Sequence, residues 1–139
     1  MGNFPRLNRL KCLLLNNNRI TRIESGLETY VPHLHTIILT NNAIAELGDL
    51  EPLTKLKKLT HLSLLDNPVA KKQHYRLYVI HKLPQLRVLD FNKVKLAERN
   101  EAKKLFSTEQ GTDNDLAKSI GESKSKTFEP GEGLSNGTK

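Results

Sequence analysis

A pattern of five spaced residues recurs along this chain and constrains its fold more than any other feature. Each copy has apolar residues eight, five and three positions before an asparagine and two positions after it. Three full copies are centred on Asn18, Asn42 and Asn67, at intervals of 24 and 25 residues. A fourth copy has Val94 at the asparagine position, 27 residues later, and keeps the apolar positions Leu86, Leu89, Phe91 and Leu96. Such regular repetition predicts stacked copies of one structural unit.

The spacing and period are those of the leucine-rich repeat, which places the chain in the α/β class as a solenoid. Numbered from the asparagine, positions −6 to −2 of each copy should form a short strand, and stacked copies should form a parallel sheet on the concave face. Apolar residues at −11 and −14, such as Leu56 and Leu53, should close the convex side. The asparagine itself should be buried, because its amide can satisfy backbone groups in the turn.

The concave face carries a candidate binding groove. Side chains alternate along a strand, so positions −6, −4 and −2 should face solvent, and position −1 lies on the same rim. Leu14, Ile38 and Leu65 are large apolar side chains at such positions, which is typical of a binding site for an amphipathic helix. The alternative is that they are isolated exposed apolar residues, which are common. The predicted groove comprises Leu14, Asn16, Asn17, Ile38, Thr40, Asn41, Ser63, Leu65 and Asp66.

The chain divides into three segments. Residues 1–70 hold the three full repeats, and residues 71–106 hold the degenerate repeat with helical patterns over 71–83 and 94–106. We expect 71–106 to form a C-terminal cap, because an end repeat presents its outer face to water. In residues 107–139 polar residues dominate and apolar ones are isolated, which predicts a disordered tail.

Composition argues against several classes of function. Cys12 is the only cysteine, so an internal disulfide and a cysteine zinc cluster are both excluded and a reducing compartment is favoured. No apolar run is long enough to span a bilayer or form a signal peptide. The five histidines lack metal-ligand spacing, and there is no glycine-rich phosphate loop. We therefore expect no catalytic, cofactor-binding or metal-binding residues.

Positive charge is concentrated in one segment. The net charge is +7, and residues 71–104 alone contain ten Lys or Arg against three Asp or Glu. A local excess of this kind indicates a polyanionic neighbour, most often nucleic acid, although a solvated helical face is the alternative.

The cap carries the most specific sequence. Residues 74–106, HYRLYVIHKLPQLRVLDFNKVKLAERNEAKKLF, closely resemble the A-prime proteins of the spliceosomal U2 small nuclear ribonucleoprotein. So do LLLNNNRITRI, LTNNAIAELGDLEPL and the late SKTFEPGEGL, and the likeness extends through nearly the whole chain. The resemblance implies a nuclear, non-catalytic protein of pre-mRNA splicing. It also implies that the concave groove binds the B-double-prime protein, whose RNA-recognition domain holds a stem-loop of the U2 small nuclear RNA.

The same resemblance implies that basic residues from Lys71 onward approach the RNA. Lysine and arginine add affinity through phosphates without selecting sequence. The candidates are Lys71, Lys72, Arg76, Lys82, Arg87, Lys93 and Lys95.

A second interpretation is a leucine-rich regulatory subunit of another complex, similar to the phosphatase-regulating or acidic nuclear phosphoprotein relatives that share a looser form of the cap. The acidic relatives end in long acidic tails. Residues 105–139 contain six acidic and four basic residues without an acidic run, which argues against that group.

The N-terminus departs from the A-prime pattern. Members of that family carry an N-terminal cap and further repeats before the point where this sequence starts. We therefore expect the first coil to expose core-type residues such as Leu13 and Leu15, each contributing about 1.5–3 kcal/mol when fully buried. Lowered stability, self-association and weaker partner binding are the expected results.

Overall fold

The computed structural model describes residues 9–124 of the chain and confirms the predicted solenoid. Each copy contributes one strand to a sheet whose order follows the sequence. Strands β1 to β4 run parallel, and β5 pairs antiparallel with β4 at the end of the sheet. The strands are β1 Cys12–Leu14, β2 Thr36–Ile38, β3 His61–Ser63, β4 Val88–Leu89 and β5 Asn92–Lys93.

The parallel strands begin at the predicted position −6 but end earlier than predicted. Asn17, Asn41 and Asp66 at position −1 all have positive φ, between 59° and 62°. Asn and Asp tolerate this left-handed conformation better than other side-chain-bearing residues. The chain therefore turns out of the sheet at position −1, which shortens each strand.

The convex side is closed by short helices, as the apolar residues at −11 and −14 predict. It carries α1 (Leu27–Tyr30), a 3₁₀ helix (Leu47–Lys55) and α2 (Tyr75–Lys82). Val31, Leu53, Leu56, Ile80 and Leu83 are all at most 2 % exposed. The helix predicted over 71–83 is shorter than expected. A second 3₁₀ helix, Pro68–Lys71, comes first, and α2 starts only after His74, whose φ is 68°.

Two of the repeat asparagines, Asn42 and Asn67, link the turns of neighbouring coils. Asn67 is 2 % exposed. Its Nδ2 donates to the carbonyls of Leu39 and Leu64 at 2.8 and 3.1 Å, and its Oδ1 accepts from Ile44 N at 3.1 Å. Asn42 makes equivalent bonds one coil earlier. The predicted burial and structural role are therefore confirmed for Asn42 and Asn67, but the predicted burial is wrong for Asn18, which is exposed and donates only to the Leu15 and Asn16 carbonyls of its own turn.

The fourth copy replaces the asparagine with a different buried polar contact. Asp90 is 8 % exposed; its Oδ1 accepts from Leu64 N at 2.7 Å and its Oδ2 accepts from the Tyr75 hydroxyl at 2.8 Å. Burial and the nearby carboxylate of Asp90 both raise the pKa of Tyr75, so this hydroxyl remains a donor. The pair fixes α2 against the last parallel strand.

Two apolar residues of the fourth copy are not in the core, contrary to the repeat pattern. Phe91 is 64 % exposed and Leu96 is 73 % exposed. After β4 the chain reverses through Asp90 and Phe91, at φ 55° and 65°, into antiparallel β5. The reversal turns both side chains away from the solenoid interior, whereas Val94, the residue in place of asparagine, is buried.

The cap consists of α2 and α3 (Leu96–Phe106), and the predicted second helix is thereby confirmed. Phe106 is fully buried. Its ring lies edge-on to Tyr78 and His74, with centroids 5.5 and 6.0 Å apart, and 5.4 Å from His81.

The prediction of disorder from Ser107 onward is wrong for the residues up to 124. Helix α4 (Asp115–Gly121) follows α3 and packs on the first 3₁₀ helix. Asn114 fixes the connection, because its Nδ2 donates to Leu105 O at 2.8 Å and its backbone N to Phe106 O at 2.8 Å. Ala117 is buried, and Gly48 leaves no room for a Cβ beside the Ser123 carbonyl. The rest of the predicted tail lies outside the described residues.

Between residues 9 and 124, no helix has the length and apolar character needed to cross a membrane.

Acid is expected to weaken the cap through Glu98. Arg76 Nε donates to Glu98 Oε2 at 2.5 Å, and this bond holds the pKa of Glu98 below its usual value although burial raises it. A folded-state pKa below the unfolded value of about 4.3 gives stability that is present above that pH and is lost as pH falls through the folded value. The free energy of unfolding, measured by urea titration, should therefore fall below about pH 4.3.

In Glu98→Gln this acid dependence should be smaller. The matched control is Glu101→Gln on the same helix, where the side chain is exposed. Identical acid dependence in wild type and Glu98→Gln would contradict the assignment.

Candidate protein-binding and polyanion-binding surfaces

The apolar residues predicted on the concave face are accessible to different degrees. Leu14 is 64 % exposed and Leu65 is 38 % exposed, whereas Ile38 is half-buried. Leu14 and Ile38 are direct neighbours in the register of β1 and β2. We call Leu14, Ile38 and Leu65 the apolar stripe, in which Leu65 lies two residues after Ser63, the register partner of Ile38, and so just beyond the end of β3.

One predicted groove residue, Ser63, is not accessible. It pairs with Ile38 in the register of β2 and β3 but is only 1 % exposed. Its Oγ lies 2.8 Å from Thr40 Oγ1. A short side chain in the middle of the sheet is covered by its neighbours, so Ser63 supports Thr40 and offers little surface to a ligand.

The polar residues of the predicted rim have structural roles of their own. Asn17 and Asn41 are exposed, and Asn41 Nδ2 donates to Asn17 Oδ1 at 3.0 Å. Together with Asp66 they occupy the left-handed turn position described above. Asn16 is exposed beside them. The turn geometry thus explains Asn and Asp at position −1 without any ligand.

Two of the predicted RNA-proximal residues have their charge paired within the cap. Arg76 contacts Glu98 and donates to the carbonyls of Leu89, Asn92 and Lys93. Lys82 Nζ lies 2.9 Å from Asp113 Oδ2. Burial lowers the pKa of Lys82, but the hydrogen bond to Asp113 and the attraction of Tyr78, Asp113 and Glu51 together outweigh it, so the pKa is raised. Both side chains are therefore structural and poorly placed to bind phosphate.

The remaining basic candidates do not form one surface. Lys71 and Lys72 follow the turn after β3, at the edge where the parallel strands end, and Lys72 lies 3.5 Å from Glu46. Arg87 immediately precedes β4, at the opposite edge. Lys93 lies in β5 opposite Val88, and Lys95 precedes α3. The excess positive charge of residues 71–104 is thus divided between the two edges of the sheet.

Sequence reasoning missed a groove at the edge where the strands begin. Its lining includes His61, Arg87, Lys93 and Arg99, and its volume is about 840 Å³. Arg99 Nη2 donates to Leu86 O, which holds the guanidinium at the groove. The available signal was the helical spacing that predicts Arg99 on a helix. This spacing alone does not show that the helix packs beside the start of β4.

Comparison with known proteins gives consistent matches. The family model described as leucine-rich repeat matches residues 1–121. The chain is 60 % identical to U2 small nuclear ribonucleoprotein A′ of Homo sapiens, covering 96 % of this chain and 51 % of that protein. The corresponding protein of Arabidopsis thaliana is 56 % identical, covering 79 % of this chain and 44 % of that protein. The chain thus spans about half the length of the curated relatives it matches.

Solved structures show the same relationship. A crystal structure of the Drosophila melanogaster SNF/U2A′ complex contains a chain that matches with a TM-score of 0.79 and 54 % identity, covering 86 % of this chain and 68 % of that chain. The leucine-rich repeat domain of Mex67 from Chaetomium thermophilum matches with a TM-score of 0.57 at 23 % identity, covering 68 % of this chain and 63 % of that one, and shares the fold alone.

Proposed function

Because this chain belongs to the leucine-rich repeat family, in the group of U2 small nuclear ribonucleoprotein A′ proteins, we propose that it is a non-catalytic interaction module of that particle. It acts in pre-mRNA splicing in the nucleus. Its concave face binds the B-double-prime protein, which carries an RNA-recognition domain, and the chain helps that protein hold a stem-loop of the U2 small nuclear RNA.

The observation that carries this proposal is the match to a chain of the SNF/U2A′ complex. At 54 % identity over 86 % of this chain, the match includes repeats and cap together. The B-double-prime protein proposed as the partner of this chain corresponds in this proposal to SNF of that complex. A chain that keeps both the fold and more than half of the residues is expected to bind the same class of partner.

The concave face has the properties that this role requires. A partner helix binds in a groove through apolar residues on one of its faces, and Leu14, Ile38 and Leu65 offer a complementary stripe. The backbone beneath the stripe is held by the buried core residues Ile37, Leu39 and Leu62, each 1 % exposed, and by the hydrogen bonds of the repeat asparagines. A preformed surface binds with little ordering cost.

The proposal is tested by titrating the chain with purified B-double-prime protein, using Leu14→Asp and Leu65→Asp. A carboxylate placed in an apolar contact should cost at least about 2 kcal/mol, or roughly 30-fold in affinity. The matched control is Leu96→Asp, which replaces an exposed leucine of the cap with the same residue. Binding that both concave substitutions leave unchanged, or that the cap substitution weakens equally, would contradict the proposal.

A further inference from the structure

The groove at the edge where the strands begin has an apolar floor. Pro84, Val88 and Val94 line it. Pro84 is exposed, Val88 is half-buried and Val94 is buried. The volume of the groove, about 840 Å³, is in the range of clefts that hold ligands. An aliphatic side chain bound there would leave water and contact apolar residues, which is favourable. We call this groove the cap groove.

Three cations surround the apolar floor. They are Arg87, Lys93 and Arg99, and none of the described residues that line the cap groove is Asp or Glu. Of the salt bridges found within residues 9–124, none involves these three side chains. Their charges are therefore available to a ligand, and the ligand that they favour is anionic.

Hydrogen bonds hold the floor and the cations in place. Val94 N donates to Arg87 O at 2.8 Å, and Arg87 N donates to Thr60 O at 2.8 Å. Arg99 Nη2 donates to Leu86 O, which holds the guanidinium of α3 beside the start of β4. A preformed groove of this kind binds a short peptide with little ordering cost on its own side.

We propose that the cap groove is a docking site for an acidic peptide segment of a partner protein, in which aliphatic side chains are flanked by Asp or Glu. The aliphatic side chains pack on Pro84, Val88 and Val94. The flanking carboxylates pair with the surrounding cations, and a guanidinium can bind a carboxylate through two parallel hydrogen bonds. A ligand that is anionic without apolar groups, such as a phosphate chain, would use the cations and leave the floor uncovered.

The cap groove is separate from the apolar stripe. None of the stripe residues, Leu14, Ile38 and Leu65, lines it. The groove opens beside the start of β4, whereas the stripe extends from β1 to just beyond the end of β3. The inference therefore goes beyond the proposed function, and binding of the acidic peptide is expected of the chain alone.

The experiment measures the fluorescence anisotropy of labelled hexapeptides with blocked termini on titration with the full chain. Each peptide has two leucines among four glutamates, and the panel contains every arrangement. The tightest binder becomes the acidic probe. In the polar probe serines replace its leucines, and in the neutral probe glutamines replace its glutamates. We expect the polar probe to bind at least about fourfold more weakly, the effect of one buried CH₂ group. The neutral probe should bind at least about tenfold more weakly, because the rim cations lose their partners.

Variants of the chain assign this binding to the groove. The test variant is Arg87→Glu with Lys93→Glu, and the control is Lys71→Glu with Lys72→Glu, which changes charge equally at the other edge. We expect the Kd of the acidic probe to rise at least about tenfold in the test variant and less than about twofold in the control. Val88→Thr keeps the shape of the side chain and should weaken the acidic probe at least about threefold, with the polar probe changed less than about twofold. Circular dichroism checks that every variant is folded.

Three results would overturn the proposal. The first is a panel in which no peptide binds more tightly than its polar and neutral derivatives. The second is an equal loss of affinity in the two charge variants. The third is displacement of the acidic probe by oligouridine at a lower concentration than by the unlabelled acidic peptide, because the groove would then be a nucleic acid site. The titrations contain no B-double-prime protein, so their outcome is independent of the proposed function.

Discussion

Phe106→Ala is expected to lower the free energy of unfolding by about 3–5 kcal/mol, as large-to-small substitutions of buried aromatic residues do. Phe106 is fully buried where α2 and α3 meet, with three rings around it. Alanine would leave a cavity bounded by Tyr78 and His81, and these side chains are held by their own contacts. His81 Nε2, for example, lies 2.8 Å from Asp113 Oδ1, so collapse into the cavity would break a second interaction.

The matched control for Phe106 is the other phenylalanine of the cap. Phe91→Ala should change the free energy of unfolding by no more than about 0.5 kcal/mol, because the ring is 64 % exposed. Alanine keeps a Cβ at the same positive φ, so backbone strain is unchanged. Urea unfolding monitored by circular dichroism measures both variants. A loss of unfolding free energy in Phe91→Ala comparable with that in Phe106→Ala would contradict the exposed position of Phe91 in the reversal between β4 and β5.

Asn67→Ala is expected to cost about 2–4 kcal/mol: about 1–3 for a buried backbone N–H left without an acceptor, and about 1 more for the hydrogen bonds lost from Nδ2. Ile44 N loses its acceptor, and the Leu39 carbonyl loses the 2.8 Å bond from Nδ2 and keeps only the 2.9 Å bond from Asn42. Neither group can reach water, since Ile44 is 0 % exposed and Leu39 1 %. The substitution should therefore destabilise both the coil that contains Asn67 and the coil before it.

Asn18→Ala is the matched control at the same position of the first copy. Asn18 is exposed, and its Nδ2 donates only to the carbonyls of Leu15 and Asn16 in its own turn. We expect a loss below about 1 kcal/mol, typical of a solvent-accessible hydrogen bond. Urea unfolding compares the two variants directly. Equal losses at Asn18 and Asn67 would mean that the amide stabilises only its own turn and does not link coils.

Much of the fold follows from residue spacing. The interval of the asparagines predicts the number and order of the parallel strands, and their first residues, Cys12, Thr36, His61 and Val88, were predicted correctly. The predicted strand ends at position −2 were wrong, because the strands end before the left-handed turn at Asn17, Asn41 and Asp66. The repeat pattern also cannot show that the chain reverses at Phe91, since an apolar residue fits the pattern in either case.

The ordered segment after α3 shows a second limit. Residues 107–121 have too few apolar residues to form a core of their own, which led to the prediction of disorder. Order comes instead from contacts with distant parts of the chain, such as the bonds of Asn114 to α3 and of Gly48 N to Ser123 Oγ at 3.3 Å. The composition of a segment indicates how much apolar surface it can bury by itself. It does not show which surfaces of the rest of the fold the segment can pack against.

The candidate sites were predicted with similar limits. The alternation of side chains along the strands identified Leu14, Ile38 and Leu65 as residues of the concave face. This succeeded because the side of the sheet to which a side chain points depends only on its position within the strand. It failed at Ser63, whose exposure depends on its neighbours in the sheet. Charge counting located the basic segment but could not distinguish Arg76 and Lys82, which are paired with Glu98 and Asp113, from Arg87 and Lys93, which form no ion pair within residues 9–124. Pairing is a property of the folded cap.

The most direct test of the concave binding face is a methyl-detected NMR titration of the chain, labelled at Leu and Ile methyl groups, with unlabelled B-double-prime protein. We predict that the resonances of Leu14, Ile38 and Leu65 shift or broaden first and most strongly. Those of Leu96 and Leu116, which lie on the cap and on α4, should stay unchanged. Perturbations confined to Leu96 and Leu116, with the three concave residues unaffected, would contradict the account.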